Sequence, residues 1–186
     1  MKFISFKNWL FEKKESKKLE YGCVMLYATV PNWNKYLSLI TKEDIYDDEL
    51  HDYGLEKESH CTIFWGIHQN EVDPEDVKNL IKTFKPMEVT IDKISVFNCD
   101  DYDVVKFEVP VSDELKKYHE LVKLAFPNTE TFKDYIPHMT IAYVKKGEGK
   151  KYAQKVKPVK IFFDTIVYSY KKNKSDEKNT KIRIKL

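Results

Sequence analysis

Two tetrads of the form His-x-Thr-hydrophobic, His60-Cys61-Thr62-Ile63 and His138-Met139-Thr140-Ile141, stand 78 residues apart, and each opens an apolar run. The segments around them repeat in the same order. Tyr21 to Val30 is β-branched and aromatic and ends at Pro31, the pattern of a strand. Trp33, Tyr36, Leu37 and Ile40 then recur at helical spacing, a polar stretch with Tyr53-Gly54 follows, and His60 to Ile67 reads as a strand. Asp73-Pro74-Glu75-Asp76 supplies an N-cap, a first-turn proline and acids for a helix to about Phe84, and Met87 to Phe97 is extended. The second half begins with a strand from Asp103 to Val111 and a helix opened by Ser112-Asp113-Glu114, with Leu115, Tyr118, Leu121, Val122 and Ala125 on its apolar face. A polar loop, a strand from His138 to Val144, a Lys/Gly-rich stretch with a short helical segment, and a strand from Val159 to Tyr170 complete it.

Such a duplication predicts two lobes related by a pseudo-two-fold axis and facing each other across a cleft. The chain of 186 residues is 42% hydrophobic, enough for one sizeable core. We therefore expect a single bilobal α+β domain over residues 21–186, of mainly antiparallel sheet with flanking helices, its lobes near 21–97 and 103–170. Thr180 to Leu186 alternates Ile182, Ile184 and Leu186 with polar residues and is expected as an edge strand, after a solvated loop from Lys171 to Asn179. Residues 1–20 carry Phe3, Ile4, Phe6, Trp9, Leu10 and Phe11 among charges, which reads as an amphipathic helix docked on the domain. No uninterrupted apolar stretch there has signal or membrane length, so no membrane association is expected.

Charge narrows the partner. A net charge of +2 from 32 basic and 30 acidic groups excludes a polycation that holds long nucleic acid through many phosphates. Arg183 is the sole arginine, so phosphate contacts fall to lysine as a point charge. Cys23, Cys61 and Cys99 are odd in number and lie in apolar runs, as expected of buried, reduced thiols in a cytosolic protein. No metal site is suggested by the spacing of His and Cys.

On a strand, alternate side chains share a face, so His60 and Thr62 point one way and Cys61 and Ile63 turn to the core. His138 and Thr140 do likewise. If the lobes pack about the two-fold, two imidazoles and two hydroxyls converge. One neutral and one charged imidazole can take a proton from an attacking oxygen and give one to a leaving oxygen across a phosphorus. The hydroxyls can donate to non-bridging oxygens, and neither metal nor cofactor is needed. His51, His68 and His119 lack this context and are read as surface or structural; Trp65 has the parity of Ile63 and is assigned to the core.

Paired tetrads at this spacing resemble those of the two-histidine (2H) phosphoesterase superfamily, over roughly Tyr21 to Tyr170. Tyr21-Gly22-Cys23-Val24-Met25-Leu26-Tyr27 and the stretch from Tyr53 to His68 are most similar to the bacteriophage anti-CBASS enzymes, which cleave cyclic di- and trinucleotide messengers of a bacterial defence system. The resemblance implies that His60, Thr62, His138 and Thr140 are catalytic, without a cofactor, on a small cyclic oligonucleotide in the cytoplasm of a host bacterium. It also implies that Tyr27 stacks on a base, as about 1–3 kcal/mol per base is available from such stacking; a core tyrosine with a satisfied hydroxyl is the alternative. Tyr170, beside Lys171 and Lys172, offers stacking and charge, or else belongs to a solvated basic turn. Two other readings stand beside this one. One is a phosphodiesterase for RNA 2′,3′-cyclic phosphates or 2′–5′ oligoadenylates, the other a sponge that binds a cyclic nucleotide without cleaving it.

Overall fold

Asp73 accepts a hydrogen bond from the Glu75 N–H at 2.9 Å with Pro74 at the first helical position, and Ser112 Oγ accepts from the Leu115 N–H at 3.1 Å, so both expected helix starts are capped. The computed structural model describes residues 19–47, 53–130, 134–172 and 179–186. The expected N-terminal helix, apart from Leu19 and Glu20, lies outside the described residues, as do His51 and most of the loop before the last strand. In chain order the elements are β1 (Tyr21–Ala28), α1 (Trp33–Leu37), β2 (His60–His68), α2 (Pro74–Ile81), β3 (Met87–Asn98), β4 (Tyr102–Glu108), α3 (Asp113–Ala125), β5 (His138–Lys145), β6 (Gln154–Tyr170) and β7 (Thr180–Lys185). Among the described residues no helix is long and apolar enough to cross a membrane.

All pairings are antiparallel, in the order β2-β1-β6-β3-β4-β5 with β7 on β6, which is the sheet-dominated α+β architecture expected from the sequence. The 17 residues of β6 form the spine, about 55 Å long at 3.3 Å per residue. Its first half pairs with β3, and its second half carries β1 and β7. β6 starts five residues before the expected Val159. Pro158 has no N–H to give a ladder, but it falls where the register breaks: Ile91 pairs with Val159 and Lys93 with Lys155.

The two halves of the sequence interleave. β3, from the first half, pairs with β4 of the second, and β6 returns to β1 of the first. Helices follow the same exchange, because Trp33 and Tyr36 of α1 pack on Phe107 of β4 at 6.2 and 4.8 Å while α3 packs on β2. Leu26, Ile63, Phe107, Met139 and Phe163 are fully buried between sheet and helices. Their removal from water, at roughly 1.5–3 kcal/mol per large side chain, is what holds the lobes together.

The seam between lobes is made of backbone. Glu56 N–H donates to Ile141 O at 2.9 Å and Tyr143 N–H to Gly54 O at 2.8 Å, so the segment leading into β2 lines the edge of β5. Reciprocally, His68 N–H donates to Pro127 O and Thr129 N–H to Gly66 O, both at 2.9 Å, so the segment leading toward β5 lines the edge of β2. Each His-Thr strand is thereby tethered to the approach of the other.

Candidate active site

Both tetrads carry the same backbone irregularity. Met25 lies opposite Thr62 and Val24 opposite Phe64, which leaves Ile63 as an extra residue in β2. Lys106 lies opposite Thr140 and Val105 opposite Ala142, which leaves Ile141 extra in β5. A bulge at the fourth tetrad position lets two successive residues face the core: Ile63 with Phe64, and Ile141 with Ala142, are all buried. His60 and Thr62 are half-buried and alternate with buried Cys61 and Ile63, and His138 is half-buried beside buried Met139. The bulge also overturns the assignment of Trp65 to the core. It reverses the strand's parity, so Phe64 turns inward while Trp65 is 44% exposed and packs on Tyr21 at 4.9 Å.

The imidazoles are held alike. His60 Nδ1 is 2.9 Å from Glu58 O and His138 Nδ1 is 2.8 Å from Ile136 O, in each case the carbonyl two residues upstream. A carbonyl only accepts, so each Nδ1 carries a proton and each Nε2 is left to the chemistry, bare in a base and protonated in an acid. Their surroundings differ. His138 meets the edge of Phe97, centroids 4.9 Å apart at 86°, and burial pushes its pKa below the ordinary 6.5, helped by the charges of Lys106 and His60 and opposed by the Ile136 carbonyl. His60 stacks on Tyr27 at 5.3 Å and 26°, with the Glu56 carboxylate 3.9 Å from its Nδ1.

Thr140 is buried, and the Thr62 carbonyl accepts from Tyr135 Oη at 3.1 Å. Burial pushes the Cys23 and Cys61 thiols up to about 12, which keeps them protonated and inert. Cys61 is fully buried as expected; Cys23 and Cys99 are only partly so, because each lies near a strand end where the neighbouring lobe covers it incompletely.

Of the two substrate-binding candidates, the structure brings Tyr27 to the site and not Tyr170. The ring of Tyr27 is flanked by His60 and by the Arg183 guanidinium at 4.8 Å, and its hydroxyl accepts from Lys181 Nζ at 3.3 Å. Glu58 pairs with both cations and so ties β7 to the entrance of β2. Tyr170 stacks on Tyr168 at 5.0 Å and 11°, beside the start of β1, about 17 Å along the strands from Tyr27. His68 and His119 are structural: His68 Nε2 is 2.7 Å from Thr129 Oγ1, and His119 lies between Glu120 and Glu130 with its ring on Tyr135.

Sequence reasoning missed Lys106 and the aromatics beside the second tetrad. Lys106 lies opposite Thr140 on the cleft face and is buried; the signal was a lysine set inside the apolar run Val104-Val105-Lys106-Phe107. Tyr46, Tyr53, Tyr102 and Tyr143 form a connected ring cluster beyond Thr140, with centroids 4.9 to 5.6 Å apart.

A sequence model of the "2'-5' RNA ligase superfamily" matches residues 60–162, more than half of the chain and both tetrads. The chain belongs to this superfamily. No curated protein matches its sequence. Among solved structures, Kluyveromyces marxianus Usb1 with uridine monophosphate aligns with a TM-score of 0.57 at 10% identity, over 90% of this chain and 99% of that one. Escherichia coli LigT complexed with 3'-AMP aligns with a TM-score of 0.55 at 11% identity, over 90% and 97%. At such identities these likenesses concern the fold, which is that of 2H phosphoesterases. Membership in the 2'-5' RNA ligase superfamily implies phosphodiesterase-type activity.

Proposed function

We propose that the chain is a metal-independent two-histidine phosphodiesterase that cleaves the 3′–5′ bonds of cyclic di- and trinucleotide messengers to linear products, as a bacteriophage countermeasure in the cytoplasm of its host. One observation carries the reaction. Both imidazoles are locked by carbonyls two residues upstream, so that each presents Nε2, and at His138 partial burial and the neighbouring Lys106 ammonium favour the neutral ring. His138 then serves as base, accepting the proton of the attacking hydroxyl through Nε2. His60 serves as acid: its imidazolium faces the Glu56 carboxylate and delivers a proton to the leaving oxygen. Thr62 and Thr140 donate to the non-bridging oxygens as their charge grows. The substrate class is supported by the resemblance around Tyr21–Tyr27 and Tyr53–His68, together with Tyr27 next to His60.

A second reading, cleavage of RNA ends bearing 2′,3′-cyclic phosphate, is supported by the likeness to LigT complexed with 3'-AMP and Usb1 with uridine monophosphate. Incubation of the purified protein in EDTA with cyclic di- and trinucleotides and with such an RNA separates the readings. Linear products from a cyclic messenger are expected. Faster turnover of the RNA favours the second reading, tight binding without cleavage a sponge, and no reaction or binding overturns both enzymatic readings.

The assignment of the base has a pH signature. Among the described residues, Lys106 and His60 bear on His138 by their charge, and Glu108, paired with Lys93, lies opposite it across β4 and β5. The base must be neutral to work, and its pKa is lowered, so kcat/KM is expected to hold as pH falls through 6.5 and to decline only below it. An acid limb centred above 6.5 would assign that limb to another group.

A further inference from the structure

A buried ammonium normally has a carboxylate beside it, since desolvating an unpaired charge is costly. Lys106 is 3% exposed, and among the described residues no carboxylate lies within ion-pair distance of its Nζ. Glu108, two residues on, is engaged at 3.0 Å by Lys93. Lys106 spends one of its three donors on Ser95 Oγ at 2.9 Å, and its charge rests on the face of Phe97, 4.1 Å from the ring centroid. It also lines an open groove of about 490 Å³ with Asp92, Ser95, Phe97, Glu108, Ile136 and Pro137; the last two lead into His138, which does not itself line the groove. An ammonium kept in this position retains donors beyond the one given to Ser95.

We infer that Lys106 is a phosphate-binding residue, donating to a non-bridging oxygen of a nucleotide phosphate held between His60 and His138; the inference rests on the phosphodiesterase reading above. Geometry supports it in two ways. Lys106 is the cross-strand neighbour of Thr140, so ammonium and hydroxyl stand side by side on the cleft face. The same Phe97 ring touches both Lys106 and His138, at 4.1 and 4.9 Å, so the two groups are no farther apart than the sum of those lengths. A phosphate that accepts from Lys106 at about 2.8 Å, while the hydroxyl attacking it donates to His138 Nε2, fits a gap of that order. Its negative charge would also complete the pairing that the protein leaves open.

The test measures binding of adenosine 3′-monophosphate by calorimetry alongside cleavage of a cyclic dinucleotide, in the full chain and in two variants. Lys106→Met keeps the length and the packing on Phe97 but removes the charge. It should bind the nucleotide about 10- to 100-fold more weakly, with an undiminished melting temperature. Lys106→Arg should stay within a few-fold of wild type. If Lys106→Met does not fold, Lys106→Gln, which can keep the bond to Ser95, is measured instead with the same expectation. Wild-type affinity in a folded, uncharged variant, or no nucleotide binding by the wild type, overturns the inference. A wild type that binds the nucleotide through Lys106 yet cleaves no phosphodiester sinks the enzymatic reading and leaves the lysine's role standing.

Discussion

Replacing either His60 or His138 by alanine is expected to lower the rate of phosphodiester cleavage by about 10²- to 10⁴-fold, the range for loss of a positioned acid or base. The double substitution should do little further damage, because a proton taken without one delivered completes no turnover. Neither ring belongs to the core. His60 stacks on Tyr27, its Nδ1 meets the Glu58 carbonyl with the Glu56 carboxylate 3.9 Å away, and His138 Nδ1 meets the Ile136 carbonyl. Melting temperatures should therefore move by no more than a few degrees, and nucleotide binding should persist in both variants. Single-turnover kinetics with matched calorimetry measure both. Full activity in either folded variant would end the two-histidine mechanism, whereas a slow variant that still binds separates chemistry from recognition.

The placement of the tetrads was legible because it is written in strand periodicity. His60 and Thr62 share a face through alternation alone, and the repeated element order brings His138 and Thr140 to an equivalent place. What could not be read is whatever depends on the partner strand. The bulges at Ile63 and Ile141 exist only relative to β1 and β4, and with them went the position of Trp65. Tyr27 gains its cationic flank from Lys181 and Arg183, more than 150 residues later in the chain, because β7 happens to add beside β6. Tyr170 attracted notice for its lysine neighbours, but antiparallel pairing sets the end of β6 beside the beginning of β1, the end farthest from His60. Lys106 stands out only once β4 and β5 pair and set it against Thr140.

Gly66→Ala is expected to be the most damaging change outside the cleft. Gly66 has φ +108°, where an L side chain costs roughly 1–2 kcal/mol. A Cβ there would lie 2.3 Å from the Thr129 carbonyl oxygen, and that atom is backbone with no rotamer to escape into. Relief requires moving residues 127–130 away from β2, which breaks the Thr129 N–H bond to Gly66 O, 2.9 Å long, and loosens His68 Nε2 from Thr129 Oγ1 at 2.7 Å. With two hydrogen bonds at about 1 kcal/mol each, the loss reaches about 3–4 kcal/mol, or roughly 10 °C in Tm for a domain of this size. Activity should fall as well, since the displaced segment leads through Tyr135, bonded to Thr62 O, to His138. Gly147→Ala isolates the cause. Gly147 has φ +90° and nothing within 4 Å of its Cβ position, so it incurs the backbone strain alone, about a third of the loss. Equal shifts in the two variants would mean that the close approach of the two lobes at Gly66 contributes nothing; a threefold difference, with cleavage lost only in Gly66→Ala, ties the seam to the placement of the second histidine.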